Sequence, residues 1–132
     1  VWISAEIIKE DTDIVVKTDD DEIVNLKEGD EFFLRNTDIF NSNGLSAPPD
    51  LTKLTHLHEA SVLHSLNIRF DIDEIYTFTG PILIAINPFK NIKNLYSDNI
   101  LEKHIQPIKS KSPHIFATSN SAYLGMCKNN KS

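Results

Sequence analysis

Residues 75–90 read IYTFTGPILIAINPFK, and the order of residue types within them decides the class of the fold. Ile75, Tyr76, Thr77, Phe78 and Thr79 are β-branched or aromatic without exception, and so are Ile82 and Ile84 beyond the Gly80-Pro81 pair. That composition predicts an antiparallel hairpin. Positions 81–86 are apolar without alternation, which predicts burial on both faces of a larger sheet. Two strands cannot bury both of their faces alone, so further chain is expected to complete that sheet. The second strand stops abruptly at Asn87-Pro88.

Upstream, residues 59–70 place Val62, Leu63, Leu66 and Phe70 at helical spacing, predicting a helix with one apolar stripe. Residues 36–49 are polar, contain Asn43-Gly44 and end in Pro48-Pro49, so they read as a linker across the surface. Before them the period is that of strands. Short Ile- and Val-rich runs at 1–9, 14–18, 22–27 and 31–35 are separated by acidic or glycine-containing turns. Four or five strands within about forty residues predict a small SH3-like β-barrel. Its core would be marginal by itself.

Downstream, Ser97 is expected to cap a short helix to about Gln106. Ser112-Pro113 offers a cap and a first-turn proline for another to about Cys127, with Ile115, Phe116, Ser119, Ala122, Tyr123 and Met126 facing inward. The whole is a mixed fold: residues 1–35 a barrel, 36–49 a linker, and 50–132 an α/β segment of helices and a hairpin.

The formal net charge of −6 hides an asymmetry, since residues 1–50 carry 13 acids and 4 bases while 51–132 carry 6 acids and 9 bases. An acidic leading half argues against nucleic acid as partner, because phosphate binding needs clustered Lys and Arg. No apolar run approaches the ~20 residues that span a bilayer, so membrane insertion is not expected. Cys127 is the single cysteine, which excludes an internal disulfide and fits a reducing, cytoplasmic setting. The Val1-Trp2 start without methionine points to an excised piece.

Four groups invite chemistry. His56, His58, Glu59 and His64 suggest metal ligands, but without a helical two-histidine signature or paired cysteines a capping or packing role is favoured. Asp19, Asp20, Asp21 and Glu22 lack the alternation of a calcium loop and read as a solvated turn. Asp71, Asp73 and Glu74 follow a helix end and read as a polar connector rather than paired acid–base carboxylates. Cys127 reads as a structural thiol. The strand end at Asn87-Pro88 differs in kind. Proline fixes the turn, asparagine offers donor and acceptor, and Tyr96 beyond the loop adds an aromatic face and a hydroxyl, a set that suits a flat heterocycle such as adenine, although spacing alone favours a plain loop.

At these residues the chain resembles a known family. KLTHLHE at 53–59, Val62-Leu63, IYTFTG at 75–80, IAINPF at 84–89, PHIFA at 113–117 and Ala122-Tyr123 together resemble the start of a myosin motor head, in order and with similar spacing. The first 35 residues resemble the SH3-like subdomain that precedes the motor core in many myosins. The loop is one residue longer than is usual in the family between Pro88 and Tyr96. Asn91 and Lys93 stand where a basic residue and a proline are common in the family, and the longer loop together with YTFTG at 76–80 resembles class V or class XI myosins.

The resemblance implies the incomplete start of a P-loop NTPase motor domain from an actin-based motor that hydrolyses Mg-ATP in the cytoplasm, associated with the cytoskeleton. Asn87, Pro88, Lys90 and Tyr96 would line the adenine pocket. ATP and Mg²⁺ would serve the complete motor, with actin filaments as partner and calmodulin-like light chains on a lever outside this sequence. The phosphate-cradling loop and the switch segments do not occur among these residues, so no catalytic residue is assigned and tight ATP binding by this piece is not expected. The competing expectation is a non-enzymatic interaction module built on the acidic barrel.

Overall fold

The computed structural model describes residues 2–10, 14–36, 47–105 and 112–129. The chain falls into two compact units, Val1–Leu34 and Arg35–Ser132.

In the first unit β1 (Ala5–Glu10), β2 (Ile14–Thr18) and β3 (Ile23–Asn25) form one antiparallel sheet in that order. Ile7 pairs with Val16 and Lys9 with Val15, so Ile8 is the extra residue of a bulge. The acidic run makes the β2–β3 turn. Asp21 takes φ 65°, Thr18 and Glu22 close the turn through their backbones at 2.9 Å, and the Thr18 hydroxyl accepts the Glu22 N–H at 3.1 Å. Asp tolerates the left-handed conformation, which explains an Asp there.

The barrel expected over residues 1–35 is not what the described residues form. Residues 31–36 make no strand. A turn at Lys27 to Asp30, closed by a backbone bond of 3.0 Å with Gly29 at φ 101°, carries the chain out of the ladder. The segment then rejoins the unit through a ring contact, Trp2 edge-on to Phe33 at 5.0 Å. Among the described residues the three strands leave two open sheet edges.

The second unit begins at Arg35 and takes in the expected linker. Asn36 is 1% exposed; its amide donates to the His56 carbonyl at 2.9 Å and its oxygen accepts the His56 N–H at 2.6 Å. Ala47 and Pro48 are buried as well. Both ends of the segment are therefore anchored, and residues 37–46 lie outside the described residues.

A single 3-10 turn (Leu51–Lys53) leads to α1 (Glu59–Asp71). The helix starts at His58, whose ring accepts the Ser61 N–H while the Ser61 hydroxyl accepts the His58 N–H, a reciprocal cap. Its buried face differs from the expected stripe. Ser61, Ser65, Ile68 and Arg69 are buried, whereas Leu63 is 52% exposed and Val62, Leu66 and Phe70 are half-buried. Polar residues can hold this face because each is satisfied: the Ser65 hydroxyl donates to the Ser61 carbonyl at 2.7 Å, and Arg69 spends its donors on other elements.

The expected hairpin is present as β4 (Tyr76–Thr79) and β5 (Ile82–Ala85), with Tyr76 opposite Ala85 and Thr79 opposite Ile82. Gly80-Pro81 is thus a two-residue turn, and Gly80 supplies its positive φ of 59°. Asp50 ties the turn down: one carboxylate oxygen accepts the Gly80 N–H at 3.2 Å, the Thr52 N–H at 3.0 Å and the Thr52 hydroxyl at 2.8 Å. On its other side β4 takes a parallel bridge to Asp50, with the Phe78 N–H on the Pro49 carbonyl at 2.9 Å. β5 has no further partner strand among the described residues, so Ile82 is 64% exposed and the two-sided burial expected of it is not reached among them.

α2 (Asp98–Ile105) follows Ser97, whose carbonyl accepts the first helical bonds from Ile100 and Leu101. The expected end at Gln106 lies outside the described residues. α3 (Ile115–Asn129) is capped by His114 rather than Ser112, its ring nitrogen accepting the Phe116 N–H at 3.1 Å. The Asn120 amide donates to the His104 carbonyl at 3.1 Å, which turns the Phe116 and Asn120 face of α3 toward α2. Ile115, Ser119, Ala122, Tyr123 and Met126, expected inside, are consequently exposed.

Candidate functional site

The loop from the end of β5 to the start of α2 carries all four residues singled out from the sequence. Asn87 is exposed and its side-chain oxygen accepts the Phe89 N–H at 2.9 Å, closing an Asx turn that holds Phe89 at φ 51° with its ring 91% exposed. Pro88 is half-buried. Lys90 pairs with Asp73 at 2.5 Å, tying the loop to the connector after α1. Both groups are substantially exposed, so the pair contributes little to stability and serves chiefly to set the loop's course.

Tyr96 lies at the far end. Its ring is 59% exposed, while its hydroxyl lies 2.8 Å from that of Tyr76, which is 7% exposed. Behind it stands a ring cluster. His114 sits edge-on to Tyr96 at 5.9 Å and to Tyr76 at 5.1 Å, stacks on His104 at 4.8 Å, and contacts Phe116 at 4.7 Å. Phe116 in turn meets Tyr96 edge-on at 6.1 Å.

The hydrogen bonds of His114 fix its tautomer. Nε2 lies 3.1 Å from the Leu95 carbonyl, which can only accept, and Nδ1 accepts the Phe116 N–H, so the proton sits on Nε2 and the ring is neutral. Burial pushes its pKa below the ordinary value of 6.5; the Leu95 carbonyl opposes that shift and the His104 ring adds to it. Burial likewise pushes the Tyr76 hydroxyl up to about 12, with the Tyr96 hydroxyl contributing. Tyr76 is therefore a proton donor throughout the physiological range.

Among the hydrogen bonds, ion pairs and ring contacts of the described residues, none links Asn87 or Lys90 to Tyr96. The loop presents two separately anchored ends. Tyr76, Asp73, His104 and His114 are the supporting residues that sequence reasoning missed. Tyr76 carried one available signal, a lone phenol in a short β-branched and aromatic strand, and His114 another, a ring directly before a helix start.

The other groups considered have structural roles. His58 caps α1, Glu74 pairs with Arg69 at 2.8 Å, and Asp21 pairs with Lys17. Among the described residues no group of three or more His, Cys, Asp or Glu could hold a metal ion. Cys127 is exposed rather than structural. A shallow hollow of about 370 Å³ is lined by Ala47, Pro49, Arg69, Glu74, Ser112 and Pro113, and so includes none of the four loop residues. Arg69 in its wall already donates to the Thr77 hydroxyl at 2.9 Å and the Tyr76 carbonyl at 2.8 Å, and pairs with Glu74. That hollow offers an incoming ligand little unspent polarity, and the exposed loop is the better candidate.

Residues 48–132 match the family described as myosin head (motor domain). The chain belongs to the myosin head family. It is 39% identical over 133 residues to Myosin-15 of Arabidopsis thaliana, 38% over 140 residues to unconventional myosin-Vb of Mus musculus and 38% over 128 residues to Myosin-H heavy chain of Dictyostelium discoideum. These alignments cover 99%, 99% and 95% of this chain but 8%, 7% and 7% of the relatives. The chain therefore corresponds to an N-terminal portion of a myosin heavy chain, and a stand-alone interaction module is not favoured. The small antiparallel sheets and three α-helices of the described residues are consistent with a partial motor domain, and no described helix is long and apolar enough to cross a membrane.

Proposed function

We propose that the intact protein is an actin-activated, Mg-ATP-hydrolysing motor of class V or class XI type, working on the cytoskeleton in the cytoplasm, and that this chain supplies its base-binding loop. The observation that carries the reading is the state of Tyr96: a half-exposed ring whose hydroxyl is held from behind by a buried phenol, at the end of a loop leaving a sheet edge. Such a ring offers a stacking face and a hydrogen-bonding group to one flat ligand.

Asn87 and Pro88 shape the near end of the loop, Lys90 fixes its course through Asp73, and Tyr96 contacts the base. The residues fit an adenine ring in chemistry. They include no cradle for a triphosphate and no carboxylate cluster for Mg²⁺, so those groups would be held by other parts of the motor, and the hairpin would join its central sheet. When bound, Mg-ATP supplies the phosphoryl chemistry; this chain's residues bind and orient the base. Similarity to a myosin named Vb supports the class, and light chains on a lever would complete the machine.

The test is phosphate release by the full-length protein with and without actin filaments, paired with titration of this 132-residue chain by Mg-ATP in a calorimeter. Actin-dependent turnover is expected from the former and binding no tighter than about millimolar from the latter. A full-length protein without ATPase activity overturns the motor reading, and micromolar binding by the short chain overturns the division of labour.

A further inference from the structure

We infer that Tyr76 and His114 are positioning residues for the base-contacting Tyr96: Tyr76 donates its buried proton to the Tyr96 oxygen, and His114 clamps the backbone beside it through the Leu95 carbonyl. The inference deepens the base-loop reading and rests on it.

The direction of donation follows from burial. Among the described residues the hydroxyl of Tyr76 has one hydrogen-bonding neighbour, the Tyr96 oxygen at 2.8 Å. A buried O–H that fails to donate is costly, so its proton goes to Tyr96. The proton of Tyr96 and one of its lone pairs are then left facing outward, available to a ligand. A phenol that receives a hydrogen bond is also a stronger donor itself.

The backbone is fixed from the other side. His114 spends Nε2–H on the Leu95 carbonyl and Nδ1 on the Phe116 N–H, so one ring ties the residue before Tyr96 to the first turn of α3. His104 lies flat beneath it at 4.8 Å, its own Nδ1 paired with the Ile100 carbonyl at 2.7 Å. Side chain and main chain of the loop's end are thus held by different elements, β4 and α3. Lys90 does not contribute at this end, since its ion pair holds the opposite side of the loop. Without these two contacts Tyr96 would be a half-exposed ring on a loop, free to change rotamer, and binding would have to order it.

The test uses the full-length protein and compares its affinity for ATP with that for inorganic tripolyphosphate, which lacks the base and reports the integrity of the remaining site. Tyr76→Phe keeps the ring and its packing but removes the proton. It is expected to lower ATP affinity between about twofold and tenfold while leaving tripolyphosphate affinity unchanged. Combined with Tyr96→Phe it is expected to cost no more than Tyr96→Phe alone, because the two hydroxyls act as one unit. His114→Asn retains a residue suited to capping α3 but is one atom shorter toward Leu95, and is expected to weaken ATP in the same base-dependent way.

Equal losses for ATP and tripolyphosphate, or strictly additive losses in the double variant, overturn the positioning role. If Tyr96→Ala weakens ATP and Tyr76→Phe does not, the positioning inference fails and the base-loop reading stands. If Tyr96→Ala itself leaves ATP affinity untouched, both fail.

Discussion

The two units of the chain differ in what they enclose: no described residue of the first is buried, whereas the second buries polar side chains alongside apolar ones such as Leu51, Leu54 and Ile75. In the first, Ile8, Ile23, Phe32 and Leu34 are 51–67% exposed, and the sheet is held by its ladder, one bulge and the Trp2–Phe33 contact. In the second, Asn36, Ser61, Ser65, Arg69, Thr77, His104 and His114 are all at most 5% exposed, while Leu63 and Ile82 stand in solvent. Hydrophobicity alone would have sorted these residues the other way round. What sorts them is whether each polar group finds its partners, since a satisfied guanidinium or amide can be enclosed at small net cost. The second unit therefore relies on directional bonds as well as on apolar residues such as Leu51, Ile68 and Ile75, and it should be the more sensitive to single polar substitutions.

The largest effect is expected at Arg69. Burial pulls its pKa below the usual arginine value, and the charge and hydrogen bond of Glu74 oppose that shift. The side chain links α1 to the Thr77 hydroxyl and Tyr76 carbonyl of β4 and to the Ala47 carbonyl at 3.4 Å. Arg69→Ala should cost the folded head about 3 kcal/mol in chemical denaturation, because buried acceptors lose their donors together. An apolar-to-alanine change in the first unit, such as Ile23→Ala at 67% exposure, should cost well under 1 kcal/mol. Equal costs would break the contrast between the units.

Asn36→Ala should follow at about 2 kcal/mol, since it strands the N–H and carbonyl of His56. The same logic gives a pH dependence. The pKa of His114 is lower in the folded chain than in the unfolded one, so the unfolded state takes up the proton first. Its contribution to stability is complete above about pH 6.5 and declines as the pH falls below that value. Denaturation midpoints measured on either side of pH 6.5 should converge in His114→Asn relative to the unaltered head.

How much of this was legible depends on the physics each element uses. The β4–β5 hairpin and the starts and ends of α1 and β2 rest on local signals, β-branched composition, a Gly-Pro turn and helical spacing, and these emerge close to where the sequence puts them. The face of α1 was misread because Ser61, Ser65 and Arg69 look like a solvated face until their partners on β4 and upstream are known. The rotation of α3 was misread for a similar reason, since Asn120 reaching the His104 carbonyl is a non-local bond. The loop carrying Asn87, Pro88, Lys90 and Tyr96 could be located from residue types, but its supports could not, as Tyr76 and His114 are distant in sequence. The strand expected at residues 31–35 is absent, because a turn at Gly29 directs the apolar segment away from the ladder.

A smaller effect is expected at the hairpin turn. Gly80→Ala places a methyl 3.7 Å from the Thr52 Cγ2, an ordinary contact, so the cost is confined to the positive φ of 59° and should be about 1 kcal/mol. A cost near 3 kcal/mol would mean that the Asp50 clamp on the Gly80 N–H is lost with the turn, a result that a parallel Asp50→Ala measurement would reproduce.

The smallest effect is expected from the largest deletion. Every described hydrogen bond, ion pair and ring contact of Asn87, Lys90 and Tyr96 is made with residues of the second unit: Phe89, Asp73, Tyr76, His114 and Phe116. Removing residues 1–34 from the full-length protein leaves Arg35 and Asn36 in place, and with them the bond pair that anchors His56. ATP affinity should then change by less than about threefold, a shift of under 1 kcal/mol. Thermal stability or the coupling of ATP turnover to actin should move further. A hundredfold loss of ATP affinity in a deleted head that still unfolds cooperatively would mean that the acidic unit shapes the base loop directly. The contrast between a second unit that holds the base loop and an accessory first one would then be wrong at its root.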